Sequence, residues 1–443
     1  MMEQKIVRNP ARLATGIRWL KHPLRNTRSL LAYGVFRKVR ADWFGFRNYL
    51  RYRTLSRSDQ ACTKTILVMD NRVLRPQDST LGRTNDVYNR LLQQRGLRVF
   101  LMPYAPGWDK LHDGPHGAHW DEPYALQLRQ QGFVVLAGWF FQRRRQAWLR
   151  RNAAAVDYLL VRFPDAAAYL PWFSAHSTAK KLYLAADLAA VRKEREYTVT
   201  SDPLTQQSAQ RFAAMEDEIF RSADALLTFS HEEADWLRQH YGAKVFHLPL
   251  FAYAELPNPQ PTLPTGQTLL FIGNFDYTAN PDGLHWFVQT CLPLLVEECP
   301  TVKVLVIGNA IPAAIQALQS QHVAVLGKVS DQQLTTLYGQ ARVVIAPLRF
   351  GAGVKGKVIE ALAHGVPVVT TRFGVEGVPG LDELIPPTDT PAAMVAAISH
   401  LLTDDAAWQH ASTRGQAFVR QHFSMQAAQM SLEALFAWLE RGA

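Results

Sequence analysis

The chain has 443 residues, a formal net charge of +10 and 48% hydrophobic residues. This length predicts two domains, and the composition excludes a disordered or fibrous chain because it supplies enough apolar side chains for a core. Three cysteines are too few for a disulfide framework or a cysteine-rich metal site, which favours a cytosolic protein. The longest apolar run, residues 133–141, is too short to span a bilayer, and the basic start lacks the apolar core of a signal peptide.

Residues 1–60 form a basic, aromatic-rich N-terminal extension. They carry 14 lysines and arginines against three acids, a net +11 that accounts for the whole chain's +10. Arginines interleaved with tryptophan, tyrosine and phenylalanine are typical of segments that bind an anionic membrane surface. Nucleic-acid-binding arms and solvated docking helices share this composition, but no nucleic-acid motif accompanies it here.

Residues 61–255 predict a doubly wound α/β domain. Buried strands are predicted at 65–70, 98–103, 132–136, 158–162, 181–184 and 225–229, with helices between them. Alternating strands and helices predict a parallel sheet, whose ligands bind beyond the carboxyl ends of its strands. A loop is predicted at 71–83, followed by a helix at 84–94. Ser230 and Glu233 are spaced as a capping box at the start of another helix.

A proline-rich linker, residues 256–264, separates this unit from a second α/β domain at 265–423 and a terminal helix at 424–443. The prolines predict a stiff, extended connection. The second domain opens with a strand at 268–273. A helix is expected at 282–296.

The most informative stretch of the chain is 349–376. A strand at 343–347 is followed by a glycine-rich turn, a helix predicted at 357–364 and a second strand at 366–370. A helix N-terminus carries unpaired N–H groups and attracts phosphate, and Lys355 and Lys357 add charge beside it. The alternative interpretation is that the polar side of this helix simply faces solvent.

Two familiar phosphate motifs match here by letter and fail by context. Residues 351–356 satisfy G-x-G-x-x-G, but Thr370, Thr371 and Arg372 end the next strand without the acidic residue that binds a dinucleotide ribose. Residues 351–357 satisfy G-x-x-x-x-G-K, but Val358 stands where a P-loop needs a serine or threonine for magnesium.

The run Glu360-Ala-Leu-Ala-His-Gly-Val-Pro-Val-Val369 resembles the donor site of the family 4 (group 1) retaining glycosyltransferases, bacterial surface-polysaccharide type. The resemblance implies the GT-B fold, in which two Rossmann-like, doubly wound parallel-sheet domains face a cleft. The wider family has a second glutamate eight residues upstream, where this chain has Ala352. Lys355 or Arg349 is therefore expected to take over part of that glutamate's role.

The resemblance also implies the site residues. The expected catalytic residues are Lys355, Glu360, Arg349 and Lys357. The expected donor-binding residues are Gly273, Asn274, Phe275, Gly327, Lys328, Gly351, Gly353, Val354, Gly356 and Glu360. The expected acceptor-side residues are Asp78, Gly82, Arg83, Arg162 and Asp187. Glu360 would accept the ribose hydroxyls. No metal or other cofactor is expected, because lysines and loop amides would stabilise the departing diphosphate.

The implied activity is transfer of a sugar, with retention, from a nucleotide-diphosphate sugar to a glycan or lipid-linked glycan in surface-polysaccharide synthesis. The enzyme would be cytoplasmic and peripheral on the inner face of the plasma membrane through residues 1–60. The alternatives are a non-catalytic GT-B scaffold, a nucleotide-sugar epimerase of the same fold, and a nucleic-acid- or membrane-binding protein that acts through the arm. No specific nucleic acid is expected as a partner.

Overall fold

The computed structural model describes residues 46–47, 50–55, 64–70, 76, 79–103, 122–136, 139–258 and 261–441. Most of the basic extension lies outside these residues, and so does Asp78. The expectations placed on them stay predictions.

A seven-stranded parallel sheet forms the first domain, in the order β3-β2-β1-β4-β5-β6-β7. Its strands are β1 (Lys64–Asp70), β2 (Leu97–Pro103), β3 (Val134–Val135), β4 (Tyr158–Val161), β5 (Lys180–Ala185), β6 (Ala225–Thr228) and β7 (Val245–His247). β1 pairs in parallel with both β2 and β4, so the strand order reverses at β1. Such a reversal leaves a crevice at the carboxyl ends of the strands, where ligands bind in α/β folds.

Helices cover both faces of this sheet, so the middle residues of its central strands are apolar and buried. They are α1 (Thr80–Gln94), α2 (Glu122–Gln130), α3 (Trp139–Asn152), α4 (Tyr169–His176), α5 (Ala189–Thr200), α6 (Pro203–Ser222) and α7 (His231–Tyr241). Residues 66–69 of β1 are all essentially inaccessible to solvent, as burial between two helical layers requires.

A five-stranded parallel sheet forms the second domain, in the order β10-β9-β8-β11-β12. Its strands are β8 (Thr268–Asn274), β9 (Lys303–Asn309), β10 (Val323–Gly327), β11 (Val343–Ala346) and β12 (Val368–Thr370). β8 pairs in parallel with β9 and β11, which creates a second reversal point. The predicted fold class, two doubly wound parallel sheets, is confirmed.

Ten further α-helices follow β7 in the described part of the chain. They are α8 (Ala279–Trp286), α9 (Leu292–Glu298), α10 (Ala313–Gln316), α11 (Asp331–Gln340), α12 (Gly356–Ala363), α13 (Arg372–Val375), α14 (Leu381–Leu384), α15 (Pro391–Thr403), α16 (Asp405–His422) and α17 (Met425–Arg441). In the part of the chain that the structure describes, no helix has the length and apolar character needed to cross a membrane.

The start of α1 corrects the sequence prediction. The helix begins at Thr80, four residues before the predicted start, because the Ser79 hydroxyl accepts a hydrogen bond from the Gly82 amide at 3.0 Å and caps it. Gly82 and Arg83 therefore lie in the first helical turn and not in the preceding loop. This cap lets the helix begin at the edge of the cleft between the domains.

The predicted capping box at α7 is half right. The Ser230 hydroxyl accepts from the Glu233 amide at 3.2 Å, as expected. The Glu233 carboxylate does not return to the Ser230 amide. It accepts from the Leu188 amide at 3.2 Å and from the Thr228 hydroxyl at 3.1 Å. Glu233 thus joins three elements of the first domain.

The terminal helix α17 packs on the first domain, although it follows the second in sequence. Phe436 is fully buried and meets the Tyr158 ring edge-to-face, with centroids 5.1 Å apart. At the end of the same helix, Glu440 pairs with Lys64 at 3.0 Å. The chain therefore crosses between the two units twice, which ties their positions together.

Replacing Phe436 with alanine should lower the free energy of unfolding by about 3–5 kcal/mol, because it leaves a cavity against β4. Met430→Ala on the exposed face of the same helix, where the side chain is 61% accessible, should change it by less than about 0.5 kcal/mol. Urea unfolding followed by tryptophan fluorescence measures both. Equal effects of the two variants would contradict the packing of α17.

Candidate functional site

A cavity of about 520 Å3 lies between the two domains. It lies where both sheets present the carboxyl ends of their strands. Residues of β8 and β9 line one wall, and residues of α1 and the loop after β5 line the other. Both reversal points in strand order open onto it, as expected for a ligand site in this class of fold.

Two helices begin at this cavity from opposite domains. Thr80 is the first residue of α1, and Gly356 is the first residue of α12. A Cβ atom at Gly356 would lie 2.5 Å from Thr80 Cγ2, so only glycine permits this close approach. Because a helix N-terminus carries unpaired N–H groups and partial positive charge, the two termini together favour an anion in the cavity.

Glu360, one turn into α12, makes the strongest contact between the domains at this site. Its Oε1 accepts from Arg83 Nη2 of α1 at 2.6 Å. Burial raises the pKa of Glu360, while the Arg83 guanidinium opposes that shift. Arg83 Nε is buried without a hydrogen-bond partner, so the guanidinium keeps an unused donor.

Lys357 is the second residue of α12. Its ammonium donates to Asn280 Oδ1 at 2.5 Å and stands 4.8 Å from the centre of the Phe271 ring, in cation–π geometry. Burial, with a further contribution from Lys355, lowers the pKa of Lys357 to about 7. In the empty site this lysine is therefore only partly charged near neutral pH, and a bound anion would restore its proton.

Lys355 is held by its own loop. Its ammonium donates to the carbonyl oxygens of Ala352 at 2.9 Å and Gly353 at 2.5 Å. Burial lowers the pKa of Lys355, and the nearby carboxylates of Glu376 and Glu233 oppose the shift. The geometry gives this lysine two functions at once: it shapes the glycine-rich loop and it contributes charge to the cavity.

Asp187 and Arg192 of the first domain lie next to this loop and to Tyr277. Asp187 Oδ2 accepts from Arg192 Nε at 2.8 Å, and both residues line the cavity. The Arg192 guanidinium lies 5.3 Å from the centre of the Tyr277 ring in the second domain. Gly353 has φ +67°, and a Cβ there would lie 2.9 Å from Asp187 Cβ, so the loop can approach only as glycine.

Positive charge predominates in the cavity. Five cationic side chains line it against three carboxylates, which are Arg83, Arg192, Lys328, Lys355 and Lys357 against Asp187, Asp331 and Glu360. Because the cavity is partly closed to water, these charges act more strongly on a ligand than they would at an open surface. The lining therefore suits a ligand with an anionic centre and hydroxyl groups.

Several predicted site residues lie together in this lining. From the second domain they are Gly273, Asn274, Lys328, Val354, Lys355, Gly356, Lys357 and Glu360, and from the first they are Arg83 and Asp187. Gly351 and Gly353 lie in the adjoining loop and Gly327 ends β10, all three outside the lining. The contacts of these residues with a ligand stay predictions.

Four predicted residues are placed elsewhere. Arg349 forms a two-point ion pair with Asp282 on the outer surface of the second domain. Arg162 is buried inside the first domain, where it donates to Asn89 Oδ1 at 2.9 Å. Gly82 is enclosed in α1, and Phe275 packs in the core of the second domain. These four residues lie outside the cavity lining, and the roles expected of them stay predictions.

Residues that the sequence reasoning missed complete the lining. Arg192, Tyr277 and Asn309 follow strands or open helices in both domains. Asn280 in the first turn of α8 connects Lys357 to the Asn274 carbonyl, to which its Nδ2 donates at 2.7 Å. Their shared signal is position beyond the carboxyl end of a parallel strand.

Residues 266–404 match the family model described as Glycosyl transferases group 1. An uncharacterized 44.6 kDa protein in the cps region of Klebsiella pneumoniae is 30% identical over 173 residues, which cover 36% of this chain and 42% of that protein. A phosphatidyl-myo-inositol mannosyltransferase of Mycolicibacterium smegmatis is 26% identical over 183 residues, which cover 38% of this chain and 46% of the relative. The chain thus spans less than half the length of these curated relatives.

Solved structures share the whole fold at low sequence identity. Sucrose-phosphate synthase from Thermosynechococcus elongatus superimposes with a TM-score of 0.62 at 17% identity, over 86% of this chain and 100% of that one. Anabaena HepE, solved with UDP and glucose, gives 0.59 at 16% identity, over 84% and 100%. A Staphylococcus aureus TarM mutant, solved with UDP and a glycan, gives 0.58 at 9% identity, over 84% and 99%. The fold is therefore GT-B, as the sequence resemblance implied.

Lys357→Met should stabilise the empty protein at pH 6 by a few kcal/mol, because it removes a buried charge. Since the folded-state pKa is near 7 and the unfolded value about 10.4, the folded state binds fewer protons between these values. The cost of the lysine thus fades as pH rises through that window. Urea unfolding at pH 6 and 9 should show the gap between variant and wild type shrinking by about 2 kcal/mol.

The matched control for this measurement is Lys303→Met, which removes an exposed lysine from β9. It should leave the pH dependence of unfolding unchanged. A gap between Lys357→Met and wild type that stays constant from pH 6 to 9 would contradict the burial of Lys357.

Proposed function

The chain belongs to the group 1 glycosyltransferases through residues 266–404, and on that premise we propose that it transfers a sugar from a nucleotide-diphosphate sugar to a glycan or lipid-linked acceptor. The proposal includes retention of anomeric configuration, independence from metal ions and a role in cell-surface polysaccharide synthesis. One observation carries it: the cationic cavity into which α1 and α12 both direct their N-termini.

The donor would lie along the second domain. Its diphosphate would accept hydrogen bonds from the first amides of α12 and from Lys357, whose pKa is already poised to gain a proton. The ribose hydroxyls would donate to Glu360. Arg83 is paired with the Glu360 carboxylate, so a ribose that binds Glu360 would displace the guanidinium. The guanidinium would then move toward the diphosphate, to which its unused Nε donor could donate.

The chemistry would be metal-free and would proceed on one face of the sugar. The bond between the anomeric carbon and the diphosphate oxygen breaks, and a bond from the acceptor oxygen to that carbon forms. The acceptor's hydroxyl proton passes to the departing phosphate oxygen. Fixed cations in a partly closed cavity can stabilise the charge that develops on the leaving group, as a metal ion would elsewhere.

The acceptor and the cellular setting are inferred from a relative and from the composition of residues 1–60. The relative from the cps region of Klebsiella pneumoniae favours surface-polysaccharide synthesis. Two structural neighbours contain UDP, which makes UDP-sugars the first donors to test. A cytoplasmic location with residues 1–60 on an anionic membrane surface remains part of the proposal, because clustered arginines and aromatic residues suit such a surface.

A thermal-shift panel of UDP-, GDP-, ADP-, TDP- and CMP-sugars in EDTA tests the donor site. We expect one nucleotide to stabilise the wild type by about 2.7 kcal/mol at 100 times its dissociation constant. Glu360→Ala should lose that shift, because the ribose hydroxyls lose their acceptor. No shift from any donor, or an equal shift in Glu360→Ala, would overturn the proposed site. For an active donor, NMR of the anomeric proton in the product tests whether the anomeric configuration is retained.

Arg83→Met and Arg349→Met form a matched pair of variants. Each removes one arginine from an ion pair with a carboxylate, but only Arg83 lines the cavity. Arg83→Met should weaken nucleotide-diphosphate binding about tenfold or more, the loss expected for one charge-assisted hydrogen bond. Arg349→Met should change binding less than twofold. Isothermal titration measures both, and the reverse order would contradict the assignment.

A further inference from the structure

A second cavity lies between the two domains, beside the first. It has a volume of about 480 Å3 and is formed by the start of α7 on one side and by residues 372–387 on the other. None of its lining residues lines the first cavity. Its position at the domain boundary is one where ligand sites occur preferentially.

The two cavities are lined by residues that contact each other. Val354 lines the first cavity and Gly377 lines the second, and a Cβ at Gly377 would lie 3.3 Å from Val354 Cγ2. Nearby, Arg195 donates to both carboxylate oxygens of Glu376, at 2.6 and 2.8 Å, and to the Gly351 carbonyl at 2.7 Å. This ion pair closes the wall with side chains, which can move more easily than backbone.

The second cavity has the opposite charge from the first. Four carboxylates line it against two guanidinium groups, which are Glu232, Asp235, Glu376 and Asp382 against Arg195 and Arg372. His231 also lines it, and burial lowers the pKa of that imidazole, which keeps it neutral near pH 7. The surplus of carboxylates repels phosphate and other anions, whereas carboxylates accept hydrogen bonds well from hydroxyl groups.

An aromatic ring completes this lining. Phe373 is half-buried, and the guanidinium groups of Arg195 and Arg372 lie 5.7 and 5.5 Å from its centre. The cations flank the ring and hold it at the cavity. An aromatic surface among hydrogen-bonding carboxylates matches a ligand with both an apolar face and many hydroxyls, which is the chemistry of a neutral sugar.

We propose that this second cavity is the acceptor site and that it receives the neutral, hydroxyl-rich saccharide end of the acceptor. The inference rests on the proposed function. A donor whose ribose meets Glu360 and whose diphosphate meets the start of α12 would place its sugar against residues 352–354. That is the side of the first cavity that borders the second, so an acceptor hydroxyl needs to pass only the Arg195–Glu376 pair.

Saturation-transfer NMR on the full-length protein tests the site with defined probes. One sample contains UDP, methyl α-D-glucopyranoside, methyl α-D-mannopyranoside and the anionic glucose 6-phosphate. We expect saturation transfer to UDP and to at least one neutral glycoside. Glucose 6-phosphate should receive none while UDP fills the first cavity. Phe373→Ala should reduce the glycoside signal at least fivefold and leave the UDP signal unchanged.

The control variant is Trp236→Ala, which removes an exposed aromatic side chain from α7 outside the cavity and should change neither signal. Asp382→Arg, at an exposed position, should weaken the neutral glycosides and admit glucose 6-phosphate, and it checks the site if Phe373→Ala fails to fold. No glycoside signal, or one that both variants leave intact, overturns the proposal. Glycoside signals that depend on Phe373 without any UDP signal support this site and overturn the proposed donor.

Discussion

The burial of Glu360 is the constraint on which the arrangement of the two domains depends. A carboxylate that is 6% exposed needs a partner, and the structure supplies Arg83 from the other domain. Removing one member of such a pair leaves the other charge buried and uncompensated, which is strongly unfavourable. This ion pair therefore joins the two domains through the carboxylate that the proposed donor would use. The proposed ligand and Arg83 compete for one carboxylate, and this competition couples donor binding to the position of the domains.

Further polar contacts join the two domains near that pair. Arg195 joins Glu376 across the domain boundary, and the His231 amide donates to the Gly377 carbonyl at 2.9 Å. Contacts of this kind stabilise a specific geometry but bury little apolar surface, so relative motion of the domains is the expectation. Apolar packing connects the units at α17, where Phe436 packs against Tyr158 of the first sheet. A hinge with one firm attachment and one polar contact face suits a cleft that must admit two substrates.

Electrostatics divide the inter-domain space into two regions. The first cavity has a surplus of cations, two helix N-termini and a lysine whose pKa lies near 7. The second has a surplus of carboxylates around Phe373. Since both regions are partly shielded from water, each discriminates by charge more strongly than an exposed surface would. An anionic donor and a neutral acceptor would thus be sorted into separate cavities before any specific contact forms.

The fold class could be predicted from the amino-acid sequence alone, and so could the grouping of charged residues at the start of α12. Continuous apolar runs such as residues 343–346 can be buried only between two helical layers, so they predict parallel strands without tertiary information. The arrangement of the turn before α12 could also be predicted from the sequence. Its glycines, the lysines beside them and Glu360 are local in sequence, and a helix of eight residues fixes their relative directions.

Only the tertiary structure decided which charged side chains share the cavity. Arg349 and Arg83 look equally suitable in sequence, but Asp282 holds the first on the outer surface and Glu360 draws the second into the cleft. Asp282 is 67 residues from Arg349, and Glu360 is farther still from Arg83, so no local pattern could report either pairing. The second cavity belongs to the same category. Its walls come from α7 and from residues 372–387, and their carboxylates acquire a shared function only when the two domains meet.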